Sequence, residues 1–201
     1  MPKGTTVRML VAVATMFGAL TIEAGAANLS MKTGSRTTQP IGHYELCRQY
    51  PAECNQRAAK PAPLPATGRL WSAINRINAQ VNASIRPVTD LDLWGREEVW
   101  SFPATAGDCE DYVIEKRAEL MRLGIPSGNL LITVLRQADG DGHAVLTVRT
   151  TGGDFVLDNL DSRVRLWSET EYTFLKRQSE RDSGIWLSIN DGRADAVASV
   201  R

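Results

Sequence analysis

The chain has 201 residues, of which 43% are hydrophobic, 16 are glycine and 9 are proline, so it can form one folded domain and is not a disordered or collagen-like chain. Its 23 basic and 23 acidic residues balance, so it lacks the cationic excess with which proteins bind nucleic-acid phosphates. Its 3 cysteines are too few for a disulfide-rich secreted scaffold or for a four-cysteine zinc site.

The first 26 residues have the pattern of an export signal. Lys3 and Arg8 precede an uncharged, mostly apolar stretch from Met9 to Leu20, and Ala24 to Ala26 supplies the small residues of a signal peptidase site. The apolar stretch is too short to cross a hydrocarbon core of about 30 Å comfortably, and an N-terminal membrane anchor is the alternative interpretation. Cleavage after residue 26 predicts, in a bacterium, a periplasmic mature chain without a transmembrane segment.

Residues 27–40 are polar and show no hydrophobic period, which predicts a flexible arm before a single domain over residues 41–201. Cys47 and Cys54 follow, and an exported chain meets oxidising conditions in which these two thiols would form a disulfide. Cys109 is then left without a partner, either as a reactive thiol or as a buried and inert residue.

Two helices are predicted in the middle of the chain. Apolar residues at helical spacing predict an amphipathic helix that packs on the core and ends before Pro87: Leu70, Ile74, Ile77, Val81 and Ile85. Residues 90–103 mix acidic and large aromatic residues and close on a proline, which predicts an ordered loop. The second helix is predicted from Cys109 to about Leu123, with Asp108 as its N-cap.

Three β-rich runs follow the second helix, over residues 130–135, 143–149 and 154–157. A tight connection predicts that the last two runs form a hairpin in which Arg149 pairs with Asp154. In that register His143 and Asp158 lie on the same face, and diagonal neighbours on one face are about 7–8 Å apart, which an imidazole and a carboxylate can bridge. The alternative interpretation is a structural histidine and a turn-capping aspartate.

Cys109 and His143 are candidates for a thiol nucleophile and its base. A helix N-terminus favours the thiolate form of a cysteine, and an imidazole held by a strand can accept the thiol proton. Asp158 would then orient the imidazole and fix its tautomer. The backbone N–H of Cys109 is the natural first donor to an oxyanion.

Four short blocks, in this order, resemble the bacterial transglutaminase-like cysteine proteinases. The blocks are Gly-Asp-Cys-Glu-Asp-Tyr at 107–112, Leu-Gly-Ile-Pro at 123–126, Gly-His-Ala-Val-Leu at 142–146 and Val-Leu-Asp-Asn at 156–159. The resemblance extends from about Cys47 to Asn190, although residues 104–106 lack an acidic residue that the family pattern would place after Pro103.

The resemblance implies an α+β fold of the papain-like or transglutaminase-like kind, with N-terminal helices packed on an antiparallel β-sheet. It implies that Cys109 is the nucleophile, that His143 is general base and then general acid, and that Asp158 orients the imidazole. By analogy with related folds Trp100 is a candidate second oxyanion donor, and simple core packing is its alternative role.

Three carboxylates surround the candidate nucleophile: Asp108, Glu110 and Asp111. Negative charge near a thiol raises the pKa of the thiol, so this arrangement needs an offset. The helix dipole, which favours acids in a first turn, is one explanation. The resemblance implies another, a bound Ca²⁺ ion with Asp108 and Glu110 as the first candidates for direct ligands and Asp111 as a further candidate.

The implied function is that of an exported cysteine endopeptidase that cleaves a specific protein. A cell-surface or biofilm adhesin is the candidate substrate, and an inner-membrane receptor is the candidate regulatory partner. Two alternatives share the fold: acyl transfer to an amine, as in a transglutaminase, and a non-catalytic periplasmic binding module.

Overall fold

The computed structural model describes Met1, residues 29–57 and residues 59–190. The predicted signal peptide over residues 1–26 therefore lies, apart from Met1, outside the described residues, and so does the predicted domain beyond Asn190. In the described ranges, no helix combines the length and the apolar character that crossing a bilayer requires.

The described residues form a helical layer packed on one antiparallel sheet, the α+β architecture expected from the sequence. The α-helices in these ranges are α1 (Ile41–Gln49), α2 (Pro51–Cys54), α3 (Gly68–Ser84), α4 (Asp90–Trp94) and α5 (Cys109–Arg122). The two long helices, α3 and α5, pack against each other, and α5 lies on the central strands of the sheet.

Seven strands form the main sheet, and every neighbouring pair in it is antiparallel. In chain order these strands are β1 (Thr33–Thr37), β4 (Leu130–Arg136), β5 (Gly142–Thr150), β6 (Gly153–Leu157), β7 (Arg165–Leu166), β8 (Thr173–Gln178) and β9 (Trp186–Ile189). Their spatial order is β1-β9-β8-β4-β5-β6-β7. Two short segments, β2 (Arg86–Pro87) and β3 (Ala106–Gly107), make a separate parallel pair.

Strand β5 alternates between two hydrophobic clusters, as a strand buried on both faces must. Ala144, Leu146 and Val148 face the cluster that includes the apolar stripe of α3. Val145 belongs to the cluster on the other side of the sheet, together with Phe174. The β5–β6 hairpin has the predicted register, with Arg149 opposite Asp154.

The two long helices begin where local signals place them. The Thr67 hydroxyl accepts a hydrogen bond from the backbone N–H of Leu70 at 3.2 Å and so caps α3. Helix α5 begins at Cys109 with Asp108 in the N-cap position, as predicted, but the Asp108 side chain makes no capping bond. That carboxylate instead accepts the backbone N–H of Asp90 at 3.1 Å, which ties α4 to the start of α5.

Two sequence expectations differ from the structure. Residues 27–40 are not an arm throughout, because Thr33–Thr37 is the edge strand β1 on β9. An edge strand needs no buried apolar face, which is why a polar segment can pair there without showing hydrophobic alternation. Residues 90–103 are not entirely a loop, because Asp90–Trp94 is helical, capped by the Thr89 hydroxyl and ended by Gly95 at a φ of +70°.

His43 on α1 is 1% exposed and lies against the disulfide between Cys47 and Cys54, which forms as the sequence suggests. Burial, together with the charge of Arg117, lowers the pKa of the imidazole to about 4. The ring is therefore held in its neutral form.

Acid is expected to destabilise the protein through His43. The pKa is about 6.5 in the unfolded chain and about 4 in the fold, so the unfolded state takes up the proton first. The contribution of His43 to stability is complete above pH 6.5 and is lost as the pH falls towards 4, by roughly 2 to 3 kcal/mol. Urea unfolding at several pH values measures this loss. The His43→Asn variant should lose less stability over the same range, and an equal loss in both proteins would assign the effect to other groups.

Candidate active site

Cys109, the first residue of α5, lies beside the start of β5. Its sulfur accepts a hydrogen bond from the backbone N–H of Ala144, the residue that follows His143. Its thiol donates to a carboxylate oxygen of Glu110 at 3.2 Å. The fold thus places the unpaired thiol of the chain next to the predicted base.

Electrostatics in this apo geometry favour the neutral thiol. Burial raises the pKa of the Cys109 thiol far above its usual range, and the neighbouring carboxylates of Glu110 and Asp108 raise it further. The N–H of Ala144 opposes these effects only in part. A positive charge near the carboxylates would remove much of the penalty on the thiolate.

His143 and Asp158 are brought together by the β5–β6 hairpin. Nε2 of His143 lies 2.8 Å from Oδ1 of Asp158, and both side chains are 3% exposed. Burial alone would raise the pKa of the Asp158 carboxyl, but hydrogen bonds from His143 and Tyr172, together with the charge of His143, hold it below its usual value. Asp158 is therefore an ionised acceptor, and Nδ1 is the imidazole nitrogen that it does not engage.

Tyr172 is a member of this group that the sequence did not indicate. Its hydroxyl donates to Oδ2 of Asp158 at 2.6 Å, and its ring centroid lies 5.8 Å from that of His143. Oδ1 of Asp158 also accepts the backbone N–H of Leu160 at 2.9 Å. Both carboxylate oxygens are thus held, so the side chain that faces the imidazole has a fixed orientation.

Three aspartates meet at the other side of Cys109. Asp90, Asp108 and Asp111 each place a carboxylate oxygen within 4.8 Å of the others. Each also has one buried oxygen without a hydrogen-bond partner: Oδ1 of Asp90, Oδ1 of Asp108 and Oδ2 of Asp111. Burial, together with the charges of Asp108 and Asp90, raises the pKa of Asp111 to about 7. The pKa of Asp90 is also raised, mainly by burial and in part by the charge of Asp108.

The second oxygen of each aspartate is held by the backbone. Asp90 accepts the N–H of Val99, and Asp111 accepts the N–H of Ser101 at 2.8 Å. The carboxylates are therefore preorganised, with one oxygen of each fixed and one left over. Hard oxygen donors converging in this way fit Ca²⁺, which takes its ligands from carboxylates and carbonyls.

Of the residues that the resemblance assigns to calcium, Asp108 and Asp111 belong to this trio, and Glu110 lies between the trio and the thiol. Burial, together with a hydrogen bond to Asp108 and the charge of Asp108, raises the pKa of Glu110 to about 10. Asp90 is the member that the sequence did not indicate. Its contact with Asp108 spans 18 positions and depends on how α4 packs, which no local pattern reveals.

Trp100 packs in the core, and its N–H is already engaged. The indole N–H donates to a carboxylate oxygen of Glu98 at 3.3 Å. The ring meets His43 and Trp186 edge-on, with centroid distances of 5.5 and 6.3 Å. These contacts fit the packing role for Trp100. The indole N–H, which was the candidate oxyanion donor, is hydrogen-bonded to Glu98.

A polar cavity of about 260 Å³ adjoins Asp158 and Tyr172. Side chains of both charges line it, among them Arg163, Arg165 and Glu169. Its lining includes the carboxylate that faces the imidazole but neither Cys109 nor His143.

Comparison with known proteins identifies the family of the chain. The sequence profile of bacterial transglutaminase-like cysteine proteinases matches residues 33–194. Calcium-bound LapG from Legionella pneumophila is a similar solved structure, with 25% identity and a TM-score of 0.51 over 59% of this chain and 68% of LapG. A second LapG structure from that organism gives 25% identity and a TM-score of 0.51 over 64% of this chain and 76% of LapG. No curated protein matches the sequence. Because the profile covers most of the chain, the protein belongs to the family of bacterial transglutaminase-like cysteine proteinases.

Proposed function

We propose that the protein is an exported cysteine endopeptidase in which Cys109, His143 and Asp158 carry the reaction. The observation that supports this most directly is the buried 2.8 Å hydrogen bond between His143 and Asp158, next to a thiol at a helix N-terminus. Membership of a cysteine proteinase family supports the same chemistry.

In the proposed reaction His143 accepts the Cys109 proton at Nδ1, because Nε2 is engaged with Asp158. The sulfur attacks the peptide carbonyl carbon, and the backbone N–H of Cys109 donates to the developing oxyanion. His143 then protonates the amine as the carbon–nitrogen bond breaks. Water hydrolyses the thioester and returns the thiol.

Calcium is the proposed cofactor, held by Asp90, Asp108 and Asp111, with Glu110 beside them. The unpartnered oxygens of the three aspartates support this set, and one similar solved structure is a calcium-bound form of LapG. When bound, the ion supplies positive charge close to Cys109 and lowers the cost of forming the thiolate.

Added Ca²⁺ is expected to raise the melting temperature of the wild-type protein by about 5–10 °C once its concentration reaches a hundred times Kd. The Asp90→Asn variant should lose most of this shift, because the amide removes one anionic ligand while keeping the shape of the side chain. Differential scanning calorimetry with Ca²⁺ and with a chelator measures it. Asp92→Asn, an exposed change on the same helix, is the matched control. Equal shifts in Asp90→Asn and in the wild type would rule out this ligand set.

Removing only the hydroxyl of Tyr172 is expected to lower kcat by about tenfold and to leave KM within about twofold, because a hydrogen bond to the Asp158 carboxylate is lost. Steady-state kinetics of the Tyr172→Phe variant, with the protein that the wild type cleaves as substrate, measure both parameters. Tyr44→Phe, at a tyrosine that is 51% exposed, is the control. A rise in KM with kcat unchanged would show that Tyr172 binds substrate instead of positioning Asp158.

A terminal-labelling experiment tests the proposed function. The calcium-loaded protein is incubated with surface and exported proteins from its source, in the presence of a labelled primary amine, and new N-termini are identified by mass spectrometry. Endopeptidase activity predicts one or a few new N-termini. Amine incorporation without new N-termini would support the transglutaminase-type alternative. The non-catalytic alternative would be supported if neither product formed and if iodoacetamide labelled Cys109 no faster than it labels a free thiol.

The proposed location is the periplasm, on the basis of the export signal at the N-terminus. A cell-surface or biofilm adhesin is the proposed substrate, and an inner-membrane receptor is the proposed regulator. Fractionation of cells that produce the full chain tests the location, and the new N-termini identify the substrate.

A further inference from the structure

A second cluster of metal-ligating side chains lies away from Cys109, around the disulfide. His43 and Cys47 are four residues apart on α1, so they occupy the same face of the helix, and Cys54 ends α2. Nδ1 of His43 lies 3.6 Å from the sulfur of Cys47, and Nε2 lies 3.8 Å from the sulfur of Cys54. One ligand atom from each of the three residues falls within 4.8 Å of the others.

The side-chain amide of Gln39 occupies the position between His43 and Cys47 where a cation would bind. Its side-chain nitrogen lies 2.6 Å from Nδ1 of His43 and 3.2 Å from the sulfur of Cys47. One donor group therefore directs its positive end at a nitrogen and a sulfur together. The imidazole is neutral, which is the form that binds metal.

The separation of Nδ1 of His43 from the Cys47 sulfur matches that of two ligands of a tetrahedral metal centre. Zinc–nitrogen and zinc–sulfur bonds of about 2.0 and 2.3 Å place the two ligand atoms about 3.5 Å apart at a tetrahedral angle. The observed separation of Nδ1 from the Cys47 sulfur is 3.6 Å. Two sulfurs on one zinc ion lie about 3.8 Å apart, a separation that Cys54 can reach only when the disulfide is open.

We propose that reduction of the Cys47–Cys54 disulfide creates a binding site for one Zn²⁺ ion, with His43, Cys47 and Cys54 as protein ligands. A dithiol reductant transfers two electrons and two protons to the disulfide, which opens to two thiols while the reductant becomes a disulfide. Zinc binding then releases the two thiol protons, and water completes the tetrahedron.

The surroundings suit a neutral zinc dithiolate. The charge of Arg117 acts on His43, so Arg117 lies close to this cluster. The Arg117 charge is itself paired with Glu53 at 2.8 Å, so the site does not face an isolated cation. Gln178 on β8 contacts Nε2 of the imidazole, whereas the Trp186 N–H donates to Nδ1 and would yield that nitrogen to the ion. Zinc would then join α1 to α2, and Gln178 would join α1 to the sheet, when the disulfide is open.

Cobalt substitution tests the proposal. The Cys109→Ala chain, which removes the remaining thiol, is reduced with dithiothreitol, desalted without air, and titrated with Co²⁺ in excess Ca²⁺ that fills the carboxylate site. The expected result is one Co²⁺ per chain, with the sulfur-to-cobalt charge-transfer band and the visible bands of a tetrahedral centre. Zinc should displace the cobalt stoichiometrically, and the oxidised chain should show no such bands.

Variants separate this site from adventitious thiol binding. In the same background Cys47→Ser should abolish the charge-transfer spectrum at one equivalent, and His43→Asn should weaken Co²⁺ binding at least tenfold. An unchanged affinity in His43→Asn, or no thiolate band in the reduced parent chain, would overturn the proposal. If reduction alone unfolds the chain, Zn²⁺ is expected to restore the near-ultraviolet circular dichroism of its tryptophans, and failure to do so would also overturn it.

Discussion

Replacing Cys109 by alanine is expected to lower the rate of peptide-bond cleavage by about ten thousandfold or more, which would leave little above background. The proposed thioester can form only at this sulfur, because the other two cysteines of the chain are joined to each other. The loss should fall on kcat, because the sulfur of Cys109 bonds to the reacting carbon and contributes little to ground-state binding. Cleavage is measured as the rate of appearance of the new N-terminus, with Ca²⁺ present.

The control for Cys109→Ala has to show that the fold and the calcium site are intact. Its calcium-dependent rise in melting temperature should equal that of the wild type, because alanine alters none of the three aspartates. Ser72→Ala, an exposed change on α3, is the matched replacement and should cleave at the wild-type rate. Cleavage by Cys109→Ala within tenfold of the wild type would exclude this residue as the nucleophile.

The acidic surroundings of Cys109 explain why calcium and thiol chemistry belong together in this proposal. Buried carboxylates disfavour the thiolate, yet the nucleophile must form it. A chain without the ion would carry both the repulsion among Asp90, Asp108 and Asp111 and the raised thiol pKa. The ion relieves both, so chelation should lower the melting temperature and the cleavage rate together.

Sequence reasoning succeeded where the signals are local. The start of α5 at Cys109 is predicted from the acidic residues of its first turn and from Asp108 at the N-cap position, although the Asp108 side chain makes no capping bond. The β5–β6 register is predicted from the short connection between the two strands, which pairs Arg149 with Asp154. The register alone is enough to bring His143 near Asp158, because the hairpin fixes their separation.

What the sequence did not reveal depends on contacts between distant segments. Tyr172 reaches Asp158 from the position before β8, 14 positions along the chain, after a segment whose only strand is the two-residue β7. Asp90 reaches Asp108 only because α4 packs at the start of α5. Strand β1 was missed for a different reason, since the edge of a sheet accepts polar residues on both faces.

Asp158→Asn is expected to lower kcat by about a thousandfold to ten thousandfold, although the substitution changes one atom. The carboxylate accepts a hydrogen bond from Nε2 of His143 and so places the imidazole proton on that nitrogen, leaving Nδ1 free to take the thiol proton. An asparagine at the same position can present its NH2 group, which is a donor and repels the Nε2–H of His143. It can also present its carbonyl oxygen, which is neutral and accepts more weakly than a carboxylate. The imidazole then loses its correct tautomer and the anion that stabilises its charged form. Stopped-time assays of cleavage by the calcium-loaded protein measure the loss.

The same substitution separates an orienting role from a structural one. Asp158 also accepts hydrogen bonds from Tyr172 and from the backbone of Leu160, and the asparagine carbonyl oxygen can keep only part of these. A structural role alone would lower the melting temperature and leave kcat nearly unchanged in the fraction that stays folded. Asp139→Asn in the exposed β4–β5 turn, where the side chain accepts the N–H of Asp141, is the matched control and should retain wild-type kcat. Because the His143–Asp158 pair is buried and the carboxylate contacts the imidazole directly, we expect kcat of Asp158→Asn to fall at temperatures well below its unfolding transition. A loss of less than tenfold at those temperatures would remove Asp158 from the proposed mechanism.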